Sequence, residues 1–327
     1  MDTVQFTDKK ASVEYYQHRY AHGYMGHWSE FEKDRIKQLV RELQLPEQGS
    51  ALDFGCGRGI FTSVLKDALP GWTITGCDIS GEAIASAKKN NQEISFFVLG
   101  ESQVDFDSAQ SAGKYDFIHS HHVLEHVFDE RVAAQEISSL AAPKCTMLHS
   151  MPCNHPGSLE YKLSYWTNNG IDPVSGKYFF EDKAHLRRQS ADQAEALFAP
   201  FDFRLEKKYF SNQYWGAIKW IAESDLALAS GISYPYNGKS SGDFFHLLSW
   251  WTRLSFCWIC FFAANAFSIG DRGSYFIIKK ILQLFFFIGL FPIAIPVKLY
   301  VNWKAKKEWE EKRHEPNGSE MFLVFRR

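Results

Sequence analysis

The sequence predicts an α/β fold: a doubly wound, Rossmann-like, mostly parallel seven-stranded sheet with an inserted apolar helical hairpin. Three observations carry this expectation. Residues 51–65 (Ala-Leu-Asp-Phe-Gly-Cys-Gly-Arg-Gly, then Ile-Phe-Thr-Ser-Val-Leu) read as an apolar strand, a glycine turn and an amphipathic helix. Apolar runs recur at 72–80, 94–99, 115–120, 145–150 and 203–210, separated by helical patterns, which is the rhythm of right-handed βαβ crossovers. The candidate for a seventh strand is Met-Phe-Leu-Val-Phe at 321–325, so the stretch before it is an insertion holding apolar runs at 254–269 and 281–297. The expected organisation is an N-terminal helical lid at 1–48, an α/β core at 49–211 completed by 319–327, and an inserted hydrophobic region at 212–318.

Composition narrows the function classes. Thirty-six basic residues stand against 38 acidic ones, a formal net charge of −2, which argues against a nucleic-acid partner. Six cysteines, at 56, 77, 145, 153, 257 and 260, show no framework spacing and read as reduced thiols of a cytoplasmic protein. The first residues, with Asp2, Asp8, Lys9 and Lys10, lack the apolar core of a signal peptide. Aromatic residues reach 16%, with much of the Phe and Trp beyond residue 200, and this asymmetry points at the insertion.

Taken in order, residues 10–45 are helical in character. Tyr15, Tyr16, Tyr20, Tyr24 and Trp28 recur at roughly helical spacing and Phe31, Ile36, Leu39, Val40 and Leu43 continue the stripe. They either pack a helix on the sheet or form a lid, for which Tyr16 and Tyr20 are the candidates. The glycine turn comes next. Its tight path and close approach to a ligand need residues without side chains. A dinucleotide fingerprint would require a third glycine where Ile60 stands. The pattern is instead Asp53-x-Gly55-Cys56-Gly57-x-Gly59, and a carboxylate there suits an ammonium group better than a pyrophosphate. This loop resembles the AdoMet-binding loop of the class I methyltransferases. The resemblance implies that Asp53, Gly55, Cys56, Gly57 and Gly59 hold the methionine part of AdoMet. Asp78, about 20 residues beyond the loop at the end of the second strand, is placed for the ribose hydroxyls, with Ile79 against adenine. An acid after the third strand meets the adenine amino group in this family, and Glu101 matches. Ser120 closes the fourth strand, whose carboxyl end opens onto the cofactor.

The segment His119-Ser120-His121-His122-Val123-Leu124-Glu125-His126-Val127 is the chemically richest. Val123 to Val127 looks like a segment of quinone-modifying and related small-molecule O-methyltransferases. A helix starting near His121 would put His122, Glu125 and His126 on one face. In ubiquinone-pathway enzymes the matching positions are Glu, Glu and His and hold a divalent metal. Here the first is His122, so no metal ligand is assigned: AdoMet is the cofactor expected, and a divalent metal stays open as a lesser alternative, for which two imidazoles and a carboxylate suit zinc, iron or manganese better than magnesium. His122, Glu125 and His126 are the catalytic candidates, either as an acid–base group for a hydroxyl or as a device that fixes the loop. His121 and His185 stand behind them, and Pro152 to Asn154 resembles the family's acceptor-lining turn.

The insertion is unlike the family. Its apolar runs are short for a membrane span, Pro292 and Pro296 interrupt the second, and Arg272, Lys279 and Lys280 would have to cross. A two-helix hairpin dipping into one leaflet fits better, with Trp250, Trp251, Trp258 and Trp303 at the interface and Lys298, Lys304, Lys306 and Lys307 at anionic head groups. The reading is an AdoMet-dependent methyltransferase at the cytoplasmic face of a membrane, acting on a hydroxyl of a lipid-soluble or lipid-linked small molecule. Alternatives are a soluble substrate with the insertion as an oligomer interface, or a membrane-attached protein that binds AdoMet without catalysis. The sequence does not fix the oligomeric state.

Overall fold

The structure, a computed structural model, describes residues 8–99, 114–267 and 276–327. The N-terminal stripe is two helices rather than one. Asp8 caps α1 (Lys9–Ala21), which ends at His22, and Gly23 follows in the left-handed region at φ 89°. Helix α2 (Glu30–Glu42) restarts at Ser29 through a capping box in which Ser29 and Glu32 satisfy each other's backbone N–H groups. Aromatic spacing runs in phase across the break, so periodicity alone joined the two. Trp28 lies in the break, not on a helix.

The sheet follows from β1 (Gly49–Phe54), α3 (Ile60–Ala68), β2 (Trp72–Asp78), α4 (Gly81–Asn90), β3 (Ser95–Val98), β4 (Tyr115–His121), α5 (Glu130–Leu140) and β5 (Ala141–Pro152). Helices α6 (Leu159–Trp166) and α7 (Ala191–Phe198) come next, then β6 (Arg204–Ser211). Helices α8 (Trp215–Glu223), α9 (Leu226–Gly231), α10 (Ser241–Ala264), α11 (Phe276–Leu290) and α12 (Ala294–Lys312) precede β7 (Glu320–Arg326). The seven strands take the order β3-β2-β1-β4-β5-β7-β6, with β1 parallel to both β2 and β4, β2 to β3, and β4 to β5. The chain reverses its winding between β1 and β4, and the loops after those two strands diverge from a crevice at the sheet's carboxyl edge. The C-terminal strand sits between β5 and β6 with Met321 through Phe325 all buried, as a strand covered on both faces requires.

The chain divides into two compact units. One comprises residues 2–152, 183–208 and 321–327, and holds most of the sheet with α1 to α5 and α7. Within it α2 buries Ile36, Leu39, Val40 and Leu43, and its Arg35 guanidinium lies 5.3 Å from the Phe322 ring centroid.

The other unit comprises residues 153–182 and 209–320. Its core joins Leu159 and Leu163 of α6, Ala217, Ile218 and Ile221 of α8, and Val301 of α12. Helix α10 contributes Leu247, Leu254 and Phe261, a seven-residue series on one face. Helix α8 has no side-chain cap of its own. The buried carboxylate of Glu308 supplies one, accepting the N–H groups of Tyr214, Trp215 and Gly216 at 2.9–3.3 Å. The apolar part of the insertion is therefore not a simple pair of helices. α11 and α12 meet at a 95° bend, and α10 is tied into the core.

Candidate active site

A cavity of about 370 Å³ opens at the carboxyl ends of β1, β2 and β4. One wall is the glycine turn. Gly55, Gly57 and Gly59 all have positive φ, at 73°, 52° and 77°. A Cβ on Gly55 would fall 2.3 Å from Val123 Cγ2, so the turns after β1 and β4 touch. A Cβ on Gly57 would fall 2.8 Å from the Tyr20 hydroxyl, so α1 covers the turn. Arg58 fixes that cover: its guanidinium donates to the carbonyls of Tyr20 and Tyr24, and to Ser86 Oγ at 3.1 Å. Tyr16, Tyr20, Tyr24, Met25 and Trp28 all line the cavity.

Asp78, at the end of β2, faces the cavity. Its Oδ2 accepts Gly57 N–H and its Oδ1 accepts Ser80 N–H, each at 2.9 Å. Burial raises its carboxyl to about 6, against the pull of these backbone donors. Such a group gains from further hydroxyl donors, which would favour its ionised form. Ile79 and Leu99 line the cavity beside it, and the Cys56 thiol, also in the lining, is pushed up by burial and by the Asp78 and Asp53 charges.

Among the described residues, three expected cofactor contacts are absent from the cavity lining: Gly59, which lies behind the turn, Asp53 and Ser120. Asp53 lies directly across from His119 in the β1–β4 register, and its Oδ1 sits 2.7 Å from His119 Nδ1. Its Oδ2 accepts the Thr62 hydroxyl at 2.6 Å, so the carboxylate, 2% exposed, is engaged inside the protein and absent from the lining. Ser120 is buried within β4 and is also absent from the lining. Glu101 lies outside the described residues.

The segment after β4 brings His122, Glu125 and His126 together on a turn, where the spacing predicted one face of a helix. Residues 122–129 form a turn, and the helix begins only at Glu130. His122 takes a left-handed φ of 53°, which swings its Nδ1 to 2.9 Å from Glu125 Oε1. Arg187 holds the turn, donating to the carbonyls of Leu124, Val127 and Phe128 at 2.7–3.3 Å. Glu125 is fully buried. Burial pushes its carboxyl up, but the His122 hydrogen bond and the charges of His122, His126 and His185 outweigh this and hold it at about 2. His122 and His126 line the cavity and Glu125 stands behind them. His126 Nδ1 is 3.3 Å from Ala184 O, and its ring meets that of His185 at 4.5 Å.

Within the set His122, Glu125 and His126, His122 closes directly on Glu125. Donor atoms of Glu125, His126 and His185 do lie within 4.8 Å of one another, and two imidazoles with a carboxylate suit zinc better than magnesium.

Sequence reasoning missed Trp28 as a wall residue. Its ring lies 4.8 Å from His121, 5.2 Å from Phe61 and 5.6 Å from His122. The Ser29 capping box was the signal that a helix restarts and leaves Trp28 in a loop.

The profile of a family described as a methyltransferase domain matches residues 24–208, more than half of the chain. The chain belongs to this methyltransferase family. It is a class I AdoMet-dependent enzyme, with AdoMet as its cofactor. The methyltransferase is 33% identical over 96 residues to a ubiquinone biosynthesis O-methyltransferase of Cronobacter sakazakii, covering 28% of this chain and 37% of that protein. It is 35% identical over 97 residues to a ribosomal RNA small subunit methyltransferase C of Shewanella halifaxensis, covering 29% and 27%. These matches thus span well under half the length of either relative. A SAM-dependent methyltransferase structure from Anabaena variabilis is similar at a TM-score of 0.48 and 18% identity, covering 64% of this chain and 87% of that one. The cavity fits the cofactor on two counts: the left-handed glycine turn that forms its wall, and a buried Asp78 beside it that calls for donors.

Proposed function

We propose that this methyltransferase transfers the AdoMet methyl group to a hydroxyl of a lipid-soluble or lipid-linked small molecule at the cytoplasmic face of a membrane. The observation that carries the acceptor chemistry is the His122–Glu125 pair in the cavity wall. Bound AdoMet supplies a sulfonium methyl group, and the protein's own residues do the rest.

Gly55, Cys56, Gly57 and Gly59 shape the cradle, Asp78 accepts the ribose hydroxyls and Ile79 packs on adenine. Glu125, held ionised, fixes the proton of His122 on Nδ1, so the basic nitrogen is Nε2. That nitrogen takes the proton of the acceptor hydroxyl, and the buried carboxylate stabilises the imidazolium that results. His126 orients the same turn. Trp28, Phe61 and His121 offer the acceptor ring faces, and Tyr16 and Tyr20 exclude water from above. Asp53 does its part through His119 and Thr62, by stiffening the strand ends beneath the cradle.

The lipid-soluble acceptor is supported by the aromatic cavity wall and by the exposed apolar surface of the helical unit. The name of the quinone-pathway relative agrees with it. The test uses methyl-labelled AdoMet, purified protein and vesicles made from a total lipid extract. Label is expected in the organic phase after extraction, and is expected to fall about 100-fold with Asp78→Ala at AdoMet concentrations below its Kd. Label found only in an aqueous product would overturn the lipid acceptor.

A further inference from the structure

The helical unit turns its most apolar helix outward. Ile277, Ile281, Leu284, Phe285 and Ile288 share one arc of α11, and three of them are at least 70% exposed (Ile277 72%, Phe285 70%, Ile288 70%). Lys279 and the buried Gln283 lie on the opposite arc, so the helix has a deep face and a back. At 15 residues α11 is about 22 Å long, short of the roughly 30 Å of a bilayer's hydrocarbon core.

Helix α12 leaves this element at 95°. Its exposed residues change in order along the axis. Ile295 and Leu299 come first, at four-residue spacing, then Tyr300 and Trp303, then Lys306 and Lys307, and Glu310 and Glu311 one turn later. From Ile295 to Trp303 the rise is about 12 Å, close to the roughly 15 Å half-thickness of a hydrocarbon core. Lysines are held in the aromatic belt. The Lys304 ammonium lies 5.6 Å from the Trp215 and Trp303 ring centroids, and Lys307 lies 5.6 Å from Trp303. Apolar, aromatic, basic and then acidic is the order of environments met on leaving one leaflet.

We infer that α11 lies flat within a single leaflet whose head groups are anionic, and that α12 stands along the membrane normal. This rests on the reading that the protein works at a membrane, and it narrows the anchoring face to α11 and the first turns of α12. The longer α10 keeps Leu247, Leu254 and Phe261 in the core and acts as the mount. A second copy of the chain fits the face less well. The ordered series along α12 would have no counterpart to match in such a pair.

The test floats full-length protein with sealed vesicles of phosphatidylcholine, with or without phosphatidylglycerol. Phe285→Asp with Ile288→Asp is expected to lower binding to both by at least about tenfold, since charge replaces the deep face. Circular dichroism checks that this surface variant folds. Lys306→Glu with Lys307→Glu is expected to lower binding about tenfold on anionic vesicles and leave it unchanged on neutral ones.

Placement is read with a membrane-impermeant maleimide, taking the reaction of the unsubstituted protein as background. Lys279→Cys and Phe285→Cys are expected to escape reagent sealed inside the vesicles, and Lys307→Cys to react with reagent added outside. Labelling of Lys279→Cys from inside would overturn the flat placement while keeping the membrane. Failure to float on either vesicle, with a dimer that the Phe285→Asp, Ile288→Asp variant splits, would overturn the membrane reading itself.

Discussion

Phe322 and Phe285 are the same residue type in two runs of similar apolarity, Met-Phe-Leu-Val-Phe and Leu-Phe-Phe-Phe-Ile. Phe322, in β7 of the sheet unit, is fully buried, and Phe285, in α11 of the helical unit, is 70% exposed. Helices cover both faces of β7, with Arg35 of α2 over Phe322 and Phe198 of α7 against Phe325, so its side chains from Met321 to Phe325 are all buried. A helix meets protein over a limited arc, and α11 has one such arc. The contrast teaches that an apolar run specifies the need for a non-aqueous neighbour and leaves open whether that neighbour is the protein's own core. In the sheet unit the need is met internally, and what remains open to solvent is the cavity with its chemistry. In the helical unit it is not met along the outer arc of α11, and the remainder is an exposed apolar surface.

The division of labour can be broken by variants that act on one unit and spare the other. The largest effect is expected for His122→Ala, a loss of about 10²–10⁴ in kcat with vesicle flotation unchanged. Radiolabel transfer and flotation on the same preparation decide it. An unchanged kcat would leave the cluster a purely architectural role.

The phenylalanine pair comes next. Phe322→Ala is expected to cost about 3–5 kcal/mol in denaturant unfolding, the cost of a large cavity in a packed core. Phe285→Ala is expected to cost less than about 0.5 kcal/mol in the absence of vesicles. Equal losses would show that α11 is covered in solution.

A smaller effect is expected for Asp78→Ala, which should weaken AdoMet about 100-fold in calorimetry, the loss of hydrogen bonds to a charged acceptor. Phe285→Asp should leave that affinity unchanged. Asp78 also predicts a pH dependence. Its carboxyl titrates at about 6 in the free protein, and hydroxyl donors of the cofactor favour the ionised form. Bound protein therefore holds fewer protons. Affinity should rise with pH up to about 6 and then level off, falling by up to about tenfold per pH unit below it. An affinity flat from pH 5 to 7.5 would remove Asp78 from the ribose contact. The smallest effect is expected for Trp28→Ala, a rise in the acceptor's KM of about tenfold or less with AdoMet affinity nearly unchanged, corresponding to the loss of one ring face.

Much of this was legible in the chain itself. The strand, glycine turn and helix at 51–65 were readable because a tight turn between them needs residues without side chains, and Gly55, Gly57 and Gly59 all take left-handed backbone. The alternation of strands and helices fixed a parallel sheet, and Met321 to Phe325 could serve no other purpose than its last strand. Asp78 was readable because its distance from the glycine turn is set by one crossover helix. These features depend on neighbours close in sequence or on a repeating period.

Tertiary structure decided what depends on distant partners. Asp53 carried the expected carboxylate, but register with His119 and the hydroxyl of Thr62 drew it inward. His122 meets Glu125 through one left-handed residue and a turn clasped by Arg187, sixty residues away, where spacing alone suggested a helix. Trp28 became a cavity wall because a capping box ended one helix phase and began another. The sequence declared α11 apolar, and only the packing of the helical unit decided which of its faces stays uncovered. Local stereochemistry and periodicity can be read from residue order, whereas a side chain's final partner depends on which distant backbone the fold brings beside it.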